Sequence, residues 1–405
     1  MIKRAFCIAC GNTKLEKVLD LGKMPSANDL VKRKDLPKVK NYPLVYYWCP
    51  KCTLLQQLNL IESEKLFRNY YTYMTGVNRQ TVELFTEEAR MLKNKIRNKD
   101  LAIVIASNDG TEVKLIRDIA GFRRVVGVEP AKNIAKIANE RGLTTINEFF
   151  TYKLSNRIIK EYGKADLIVA NNVFAHIPYP TDMLAGMKNL IKPSGLIEIE
   201  VHWLRDMVKD LQIDILYAEH YYEWSLRAMQ TISRRYGLKV VNAEHLPKQQ
   251  GGSIRFWLAL RGKETNRLSH LEKAAGVYSI KTIKRLQERS DARKGKLVAL
   301  INKLKEKDKV ICIWSVPAKI ATVLNFCNIT NKEITCAYEV APTKIGRFIP
   351  KSNIEIKDEK HIATDMPDYL IVGAWNYMDF AKKSLGWYIK KGGKLIDPLT
   401  CKILP

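Results

Sequence analysis

The sequence predicts an α/β chain in three parts: a small zinc-binding N-terminal module, a central Rossmann-like domain and a second, smaller Rossmann-like domain at the C-terminus. Three observations predict it. Four cysteines fall as two Cys-x-x-Cys pairs near the start. From Leu101 onward, apolar runs of strand length alternate with helix-length segments, the pattern of parallel strands joined by crossover helices. The same alternation begins again at Val310, after a charged stretch. At 405 residues the chain has material for two or three domains with real cores.

Residues 1–75 read as the zinc-stapled module. Cys7, Cys10, Cys49 and Cys52 each belong to a knuckle that presents two thiolates, and two knuckles close a tetrahedral Cys₄ shell. A closed shell has no open position, so the metal is structural; a redox pair or coincidence is the alternative. Cys312, Cys327, Cys336 and Cys401 stand singly in apolar surroundings. A turn-rich insert lies around 22–28, and Tyr42–Trp48 is strand-like. The second part, 76–260, opens with apolar residues at helical spacing from about 80 to 97. Strands follow at 101–105, 124–128, 166–170 and 196–201, then a terminal antiparallel hairpin at 237–242 and 253–260. The third part, 261–405, starts with a charged helical pair over 261–308. A strand at Val310–Ser315, a turn at Pro317-Ala-Lys319, a helix through Leu324 and strands at Ile334–Tyr338 and Tyr369–Gly373 complete it.

The stretch from Ala102 to Gly110 carries most of the functional signal. An apolar strand ends in the loop Ser107-Asn108-Asp109-Gly110, a helix opens at Thr111, and a second strand ends at Glu129-Pro130. In doubly wound folds the first strand-to-helix turn approaches the cofactor, and an acid ending the second strand grips a ribose. Only Gly110 remains of a GxGxxG pattern, so a dinucleotide pyrophosphate site is disfavoured. An acid accepting two ribose hydroxyls without a phosphate cradle suits S-adenosylmethionine better than NAD. An inactive Rossmann-like loop is the alternative.

The net charge of +26 fits an anionic partner such as a nucleotide, RNA or a lipid surface. It fits equally a general Lys bias, because the lysines are scattered. No run approaches the ~18 apolar residues of a membrane span, and no apolar region follows Met1-Ile-Lys-Arg. The expectation is a soluble, cytoplasmic protein without a membrane partner.

Taken together these residues resemble a known family, the C-methyltransferases of nucleotide-linked keto-deoxysugars. The resemblance runs over nearly the whole chain. It is carried by the cysteine pairs, Pro25-x-Ala27-Asn28, Tyr71-x-Tyr73, Ser107–Gly110 and Gly127–Pro130. Asn171-Asn172-Val-Phe-Ala-His176, Tyr217-Ala-Glu219-His220 and Gly251-Gly-Ser253-x-Arg255 continue it. Pro317-Ala-Lys319, Lys344-x-Gly-Arg347 and Trp375-Asn376 close it. The resemblance implies a central class I methyltransferase domain that binds S-adenosylmethionine through Ser107, Asn108, Asp109, Gly110, Glu129, Pro130, Asn171 and Asn172. It implies methyl transfer to carbon: a base removes the proton beside a sugar ketone, and the enolate attacks the sulfonium methyl. His220 is the candidate base, with Glu219 and Tyr217 orienting it or contacting the enolate, and His176 and Tyr71 lining the sugar pocket. Lys319, Arg347 and Ser253 are the candidates for holding the nucleotide diphosphate sugar. His220 also admits a plain core or surface position, and the two cations plain surface charges.

Several positions depart from the family's pattern. Val104 stands where an acid is usual and Ala106 where glycine is usual; the Ala106 methyl is tolerable if φ there is negative. Asn108 and Asp109 are the polar groups left to compensate for the missing acid. Ser315 and Ile320 replace glycines, Gln250 replaces a histidine, and His202-Trp203 stands where Pro-aromatic is usual. Two rival readings accompany the first: an inactive relative that binds a sugar nucleotide, and an RNA methyltransferase. The basic residues are not interleaved with aromatics in any one segment, which disfavours nucleic acid. Whether the chain is a monomer or a homodimer is left open.

Overall fold

A computed structural model describes residues 1–68, 71 and 73–404. The chain divides into two compact units. One consists of Met1–Glu16, Trp48–Asp206 and Tyr221–Ile280; the other of Lys17–Tyr47, Met207–His220 and Lys281–Pro405. These units cut across the linear modules read from the sequence. The insert between the cysteine knuckles and the segment carrying Tyr217, Glu219 and His220 both fall in the second unit.

The first unit is built on a seven-stranded sheet. Its strands are β1 (Leu101–Ile105), β2 (Arg124–Val128), β3 (Thr145–Ile146), β4 (Ala165–Asn171), β5 (Ile191–His202), β6 (Lys239–Leu246) and β7 (Ser253–Ala259). Their order is β6-β7-β5-β4-β1-β2-β3. The first five strands run parallel, and β7 pairs antiparallel with β5 and β6. β1 reads Leu-Ala-Ile-Val-Ile and is buried throughout, as a parallel strand covered on both faces must be. Alternate residues serve opposite faces. Ile103 and Ile105 join Ile168, Ala170 and Ile199 in one cluster, while Ala102 and Val104 join Leu167 and Val169 in another. Helix α1 (Arg79–Lys95) starts where the Asn78 side chain caps the Thr81 N–H, and α2 (Thr111–Leu115) follows β1.

The second unit holds a sheet of the same plan. Its strands are β8 (Ile311–Trp314), β9 (Ala337–Glu339), β10 (Phe348–Ile349), β11 (Ile354–Asp358), β12 (Tyr369–Val372), β13 (Lys394–Asp397) and β14 (Lys402–Leu404), in the order β10-β11-β9-β8-β12-β13-β14. Only the two edges, β10 and β14, pair antiparallel. Helix α3 (Leu286–Lys305) precedes β8 and α4 (Ala318–Cys327) follows it.

Three expectations need adjusting. The charged connector is three helices rather than a pair, Ser269–Ala274, Ile280–Lys284 and α3; Gly276, with a left-handed φ of +76°, ends the first. The strand expected from Ile334 becomes regular only at Ala337, although Thr335 N already bonds Ile311 O. Cys312 and Cys336 are not single: their neighbouring parallel strands bring the two Sγ atoms to 3.5 Å. Among the described residues, no helix is long and apolar enough to cross a membrane.

Candidate active site

In the first unit the strand order reverses between β1 and β4, and the residues read as cofactor-binding gather at the carboxyl ends there, where doubly wound sheets bind ligands. The Glu129 carboxylate, at the end of β2, accepts the Asn108 N–H at 3.0 Å and the Ala131 N–H at 2.8 Å. Burial pushes its carboxyl up to about 7 against the pull of those two backbone donors. One donor per oxygen leaves acceptor capacity for two ribose hydroxyls. Ser107 packs against Gly127, where any Cβ would collide with its side chain. Gly110 turns the chain into α2 with φ +80°. Ser107 Oγ and Asn171 Oδ1 are buried without hydrogen-bond partners among the described residues. An acid with spare acceptors ending β2, with orphaned polar atoms on the loop after β1 and at the end of β4, fits S-adenosylmethionine. Pro130 follows Glu129, and its carbonyl accepts from the Asn147 side chain at 3.0 Å. Asn172 N donates to Glu200 O at 2.9 Å, tying the end of β4 to β5.

Two departures from the family's pattern resolve differently from expectation. Ala106 has φ +57°, so its methyl sits in the left-handed region and is strained there. Asn108 and Asp109 do not stand in for the acid missing at Val104. Asn108 Oδ1 accepts the Thr75 N–H at 2.8 Å, and Asp109 accepts from Gly76 N at 3.0 Å and Thr111 Oγ1 at 2.7 Å, so both tie the loop to backbone around it.

Acidic groups appear instead where no sequence motif announces them. Glu88 of α1, Glu112 of α2 and Glu198 and Glu200 of β5 are all buried around Arg255 of β7. Desolvation raises the Glu112 and Glu198 carboxyls well above the ordinary range, and Glu200 to about 7. A second buried pair, His202 Nδ1 and Glu223 Oε2 at 3.2 Å, also escaped sequence reasoning. These residues come from separate elements, so no local spacing announces them. Tyr71 and His176 are brought together by Phe67, whose ring meets theirs edge-on at 5.6 and 5.8 Å. Ser253 is buried at the start of β7, paired with His202.

The second unit holds the histidine signature. Tyr217, Glu219 and His220 are all buried. His220 Nδ1 lies 2.7 Å from Ile215 O, so Nδ1 carries the proton and Nε2 is the basic atom; the Tyr217 hydroxyl donates to Nε2 at 2.6 Å. The two rings stack with centroids 3.9 Å apart. The Tyr46 hydroxyl donates to His220 O at 2.7 Å. Glu219 accepts from Ser26 Oγ at 2.5 Å, Asn28 N at 3.0 Å and Ala27 N at 3.2 Å. Thus Tyr217 is the group at the histidine's basic nitrogen, and Glu219 clamps the Pro-x-Ala-Asn segment.

β8 and β12 form the switch point of the second sheet, and the loops after them carry Lys319 and Trp375. Lys319 is buried near the start of α4 with Nζ 5.0 Å above the Trp375 ring, whose Nε1–H donates to Asp214 Oδ2 at 2.6 Å. Arg347 sits instead before the edge strand β10, donating to Thr343 O at 2.8 Å and Leu30 O at 3.0 Å.

The four N-terminal cysteines also converge, with every Sγ within 4.8 Å of the others. Cys7 and Cys52 approach to 3.4 Å and Cys10 and Cys49 to 3.5 Å. A Zn–S bond of about 2.3 Å gives a tetrahedral edge of about 3.8 Å, so the set fits one zinc ion. Matching turns build both knuckles, Gly11 N bonding Cys7 O and Thr53 N bonding Cys49 O.

Fold, cofactor crevice and cysteine cluster define an S-adenosylmethionine-dependent methyltransferase that carries structural zinc. Comparison with known proteins agrees. A zinc binding domain model matches residues 7–67, a methyltransferase domain model 105–243, and a C-methyltransferase C-terminal domain model 248–400. The three models match in this order along one chain, the order of parts of a C-methyltransferase. It is 28% identical over 403 residues to the C-methyltransferase NovU of Streptomyces niveus, covering 97% of this chain and 95% of that one. A solved S-adenosylmethionine-dependent methyltransferase of Clostridium acetobutylicum is 11% identical with a TM-score of 0.35, covering 46% of this chain and 93% of that one. The PH0226 protein of Pyrococcus horikoshii is 13% identical with a TM-score of 0.37, covering 50% and 100%.

Proposed function

We propose that this C-methyltransferase acts on a nucleotide-linked keto-deoxysugar, which it deprotonates beside the ketone. The observation that carries the reading is the Tyr217–His220 pair: a neutral imidazole held by Ile215 O, with a phenol at its basic nitrogen. A C–H next to a ketone is acidic enough for such a base, and the resulting enolate needs a donor on its oxygen. His220 Nε2 takes the proton, and the Tyr217 hydroxyl turns its hydrogen bond from Nε2 to the enolate oxygen. Bound S-adenosylmethionine supplies an electrophilic methyl group. Glu219 fixes the loop at Ser26–Asn28 and thereby the segment that carries both residues. In the first unit, Tyr71, His176 and Ser253 are the candidates for contact with the sugar. Lys319 contacts the diphosphate, and Arg347 holds the edge of the same unit. In sequence terms the parts proposed are 1–75, 76–260 and 261–405; the family models match 7–67, 105–243 and, across the second of these boundaries, 248–400.

Proton abstraction is testable without methyl transfer. In D₂O, with S-adenosylhomocysteine in the cofactor site, the protein should exchange the C–H beside the ketone of a nucleotide-linked 4-keto-6-deoxysugar, read by NMR. His220→Ala should abolish exchange and turnover while cofactor affinity stays within about twofold of the parent. Absence of exchange and of methylation across a panel of nucleotide-linked keto sugars would falsify the proposal.

A further inference from the structure

Glu88, Glu112, Glu198 and Glu200 are buried around Arg255, and one neutral acceptor among them is unanswered. Asn171 is more than nine-tenths buried, and its amide lies within the cluster: Nδ2 donates to both Glu88 oxygens at 2.8 and 3.0 Å and to Glu112 Oε1 at 2.8 Å. Its Oδ1 has no hydrogen-bond partner among the described residues. A buried acceptor without a donor costs roughly 1–3 kcal/mol unless a ligand or water supplies one. Carboxylates with an orphaned amide oxygen select a cationic donor.

The cluster also lies at the carboxyl end of β4, beside the reversal in strand order. The ribose acid Glu129 ends β2, Asn171 ends β4, and β1 runs between them. Adjacent strands are about 4.8 Å apart, so β2 and β4 are separated by roughly 10 Å. A cofactor whose ribose rests on Glu129 and whose chain crosses the loop after β1 therefore brings its far end to Asn171 and Glu112. In S-adenosylmethionine that end is an amino acid with an α-ammonium. Val104 offers no charge to it, and Asn108 and Asp109 are turned to Thr75, Gly76 and Thr111.

We infer that Glu112 and Asn171 Oδ1 recognise the α-ammonium of S-adenosylmethionine, making Glu112 the specificity-determining acid for the amino-acid end of the cofactor. Glu88 and Arg255 position Asn171 and balance its surroundings. The inference rests on the cofactor assignment and adds to it which residues read the ammonium.

Calorimetric titration of the full chain with three ligands tests it: S-adenosylhomocysteine, its deamino analogue and 5′-methylthioadenosine, which share the adenosine and ribose. Glu112→Gln should weaken S-adenosylhomocysteine by about tenfold or more while leaving the other two within about twofold. The variant removes one acid from a crowded cluster, so its thermal midpoint should equal or exceed the parent's, which checks the fold. The parent protein gives an independent reading, since it should prefer S-adenosylhomocysteine over the deamino analogue by about tenfold or more. Equal affinity of the parent for those two ligands, or equal losses for all three ligands in a folded Glu112→Gln, would overturn the inference. A parent that binds none of the three would instead contradict the cofactor assignment.

Discussion

At Glu129 two demands on one carboxyl conflict. Burial holds it protonated up to about pH 7, whereas ribose hydroxyls need an ionised acceptor. An unfolded glutamate titrates near 4.3. Between that value and about 7 the native state binds the proton and the unfolded state does not, so this group lowers stability as pH rises through the window. Ligand affinity moves the other way. 5′-Methylthioadenosine, which carries the ribose without the amino acid, should bind about tenfold more tightly at pH 8 than at pH 6, because the ionised fraction rises by that factor. Calorimetry at the two pH values checks it, and Glu129→Gln should flatten the profile. Ala106 makes a second prediction at this scale. Its left-handed φ of +57° suits glycine, so Ala106→Gly should stabilise the chain by about 1 kcal/mol in urea unfolding. A loss of stability would show that the methyl contributes packing worth more than the strain. Sequence alone named both residues, because each lies at a fixed offset from the first strand. It left open the sign of φ at Ala106, which depends on the loop folding back so that Ser107 N reaches Val128 O.

Among the elements, those with local signals were legible and those made by pairing were not. β1 and β2 were read residue for residue, since a short apolar run closed by a polar loop carries its own bounds. The two knuckles were legible for the same reason: a Cys-x-x-Cys turn is complete within a few residues. Glu88, Glu112, Glu198, Glu200 and Arg255 were not, because two helices and two strands contribute them and register alone joins them. Asp214 became significant only through the bond from Trp375, more than a hundred residues away in sequence. The zinc knuckles yield the prediction for this scale. Metal analysis of protein purified without chelators should find one zinc per chain. Without the ion the four sulfurs cannot share their site as thiolates, and Cys7 is driven up to about 12 chiefly by its hydrogen bond with Cys49. Cys49→Ser should therefore lose the metal and lower the thermal midpoint by several degrees, equivalent to a few kcal/mol of metal-coupled folding. An unchanged midpoint in metal-free protein would show that the knuckles stand on packing alone.

For the whole molecule, the order of parts in the sequence is not the order in which they fold together. The second unit draws on Lys17–Tyr47 and Met207–His220 as well as Lys281–Pro405. Its internal bonds show how tightly the three segments are joined. Arg347 donates to Leu30 O at 3.0 Å, Trp375 to Asp214 at 2.6 Å, and Arg289 to Val208 O at 2.9 Å. The two shorter segments also bury Leu19, Met24, Leu44, Tyr46 and Leu216. At roughly 2 kcal/mol for each buried side chain, these amount to about 10 kcal/mol, as large as the net stability of a typical domain. A fragment of residues 281–405 has the whole second sheet, the core of the smaller Rossmann-like domain read from sequence within 261–405, yet it lacks all of these partners. It should therefore show no cooperative thermal transition by circular dichroism, whereas the full chain melts sharply. The same fragment should regain a transition only when both missing segments are supplied in one chain with it. If 281–405 unfolds cooperatively by itself, the two shorter segments are attachments to a finished domain, and the histidine signature at Tyr217–His220 would then be held by its own loop rather than by the core of the unit.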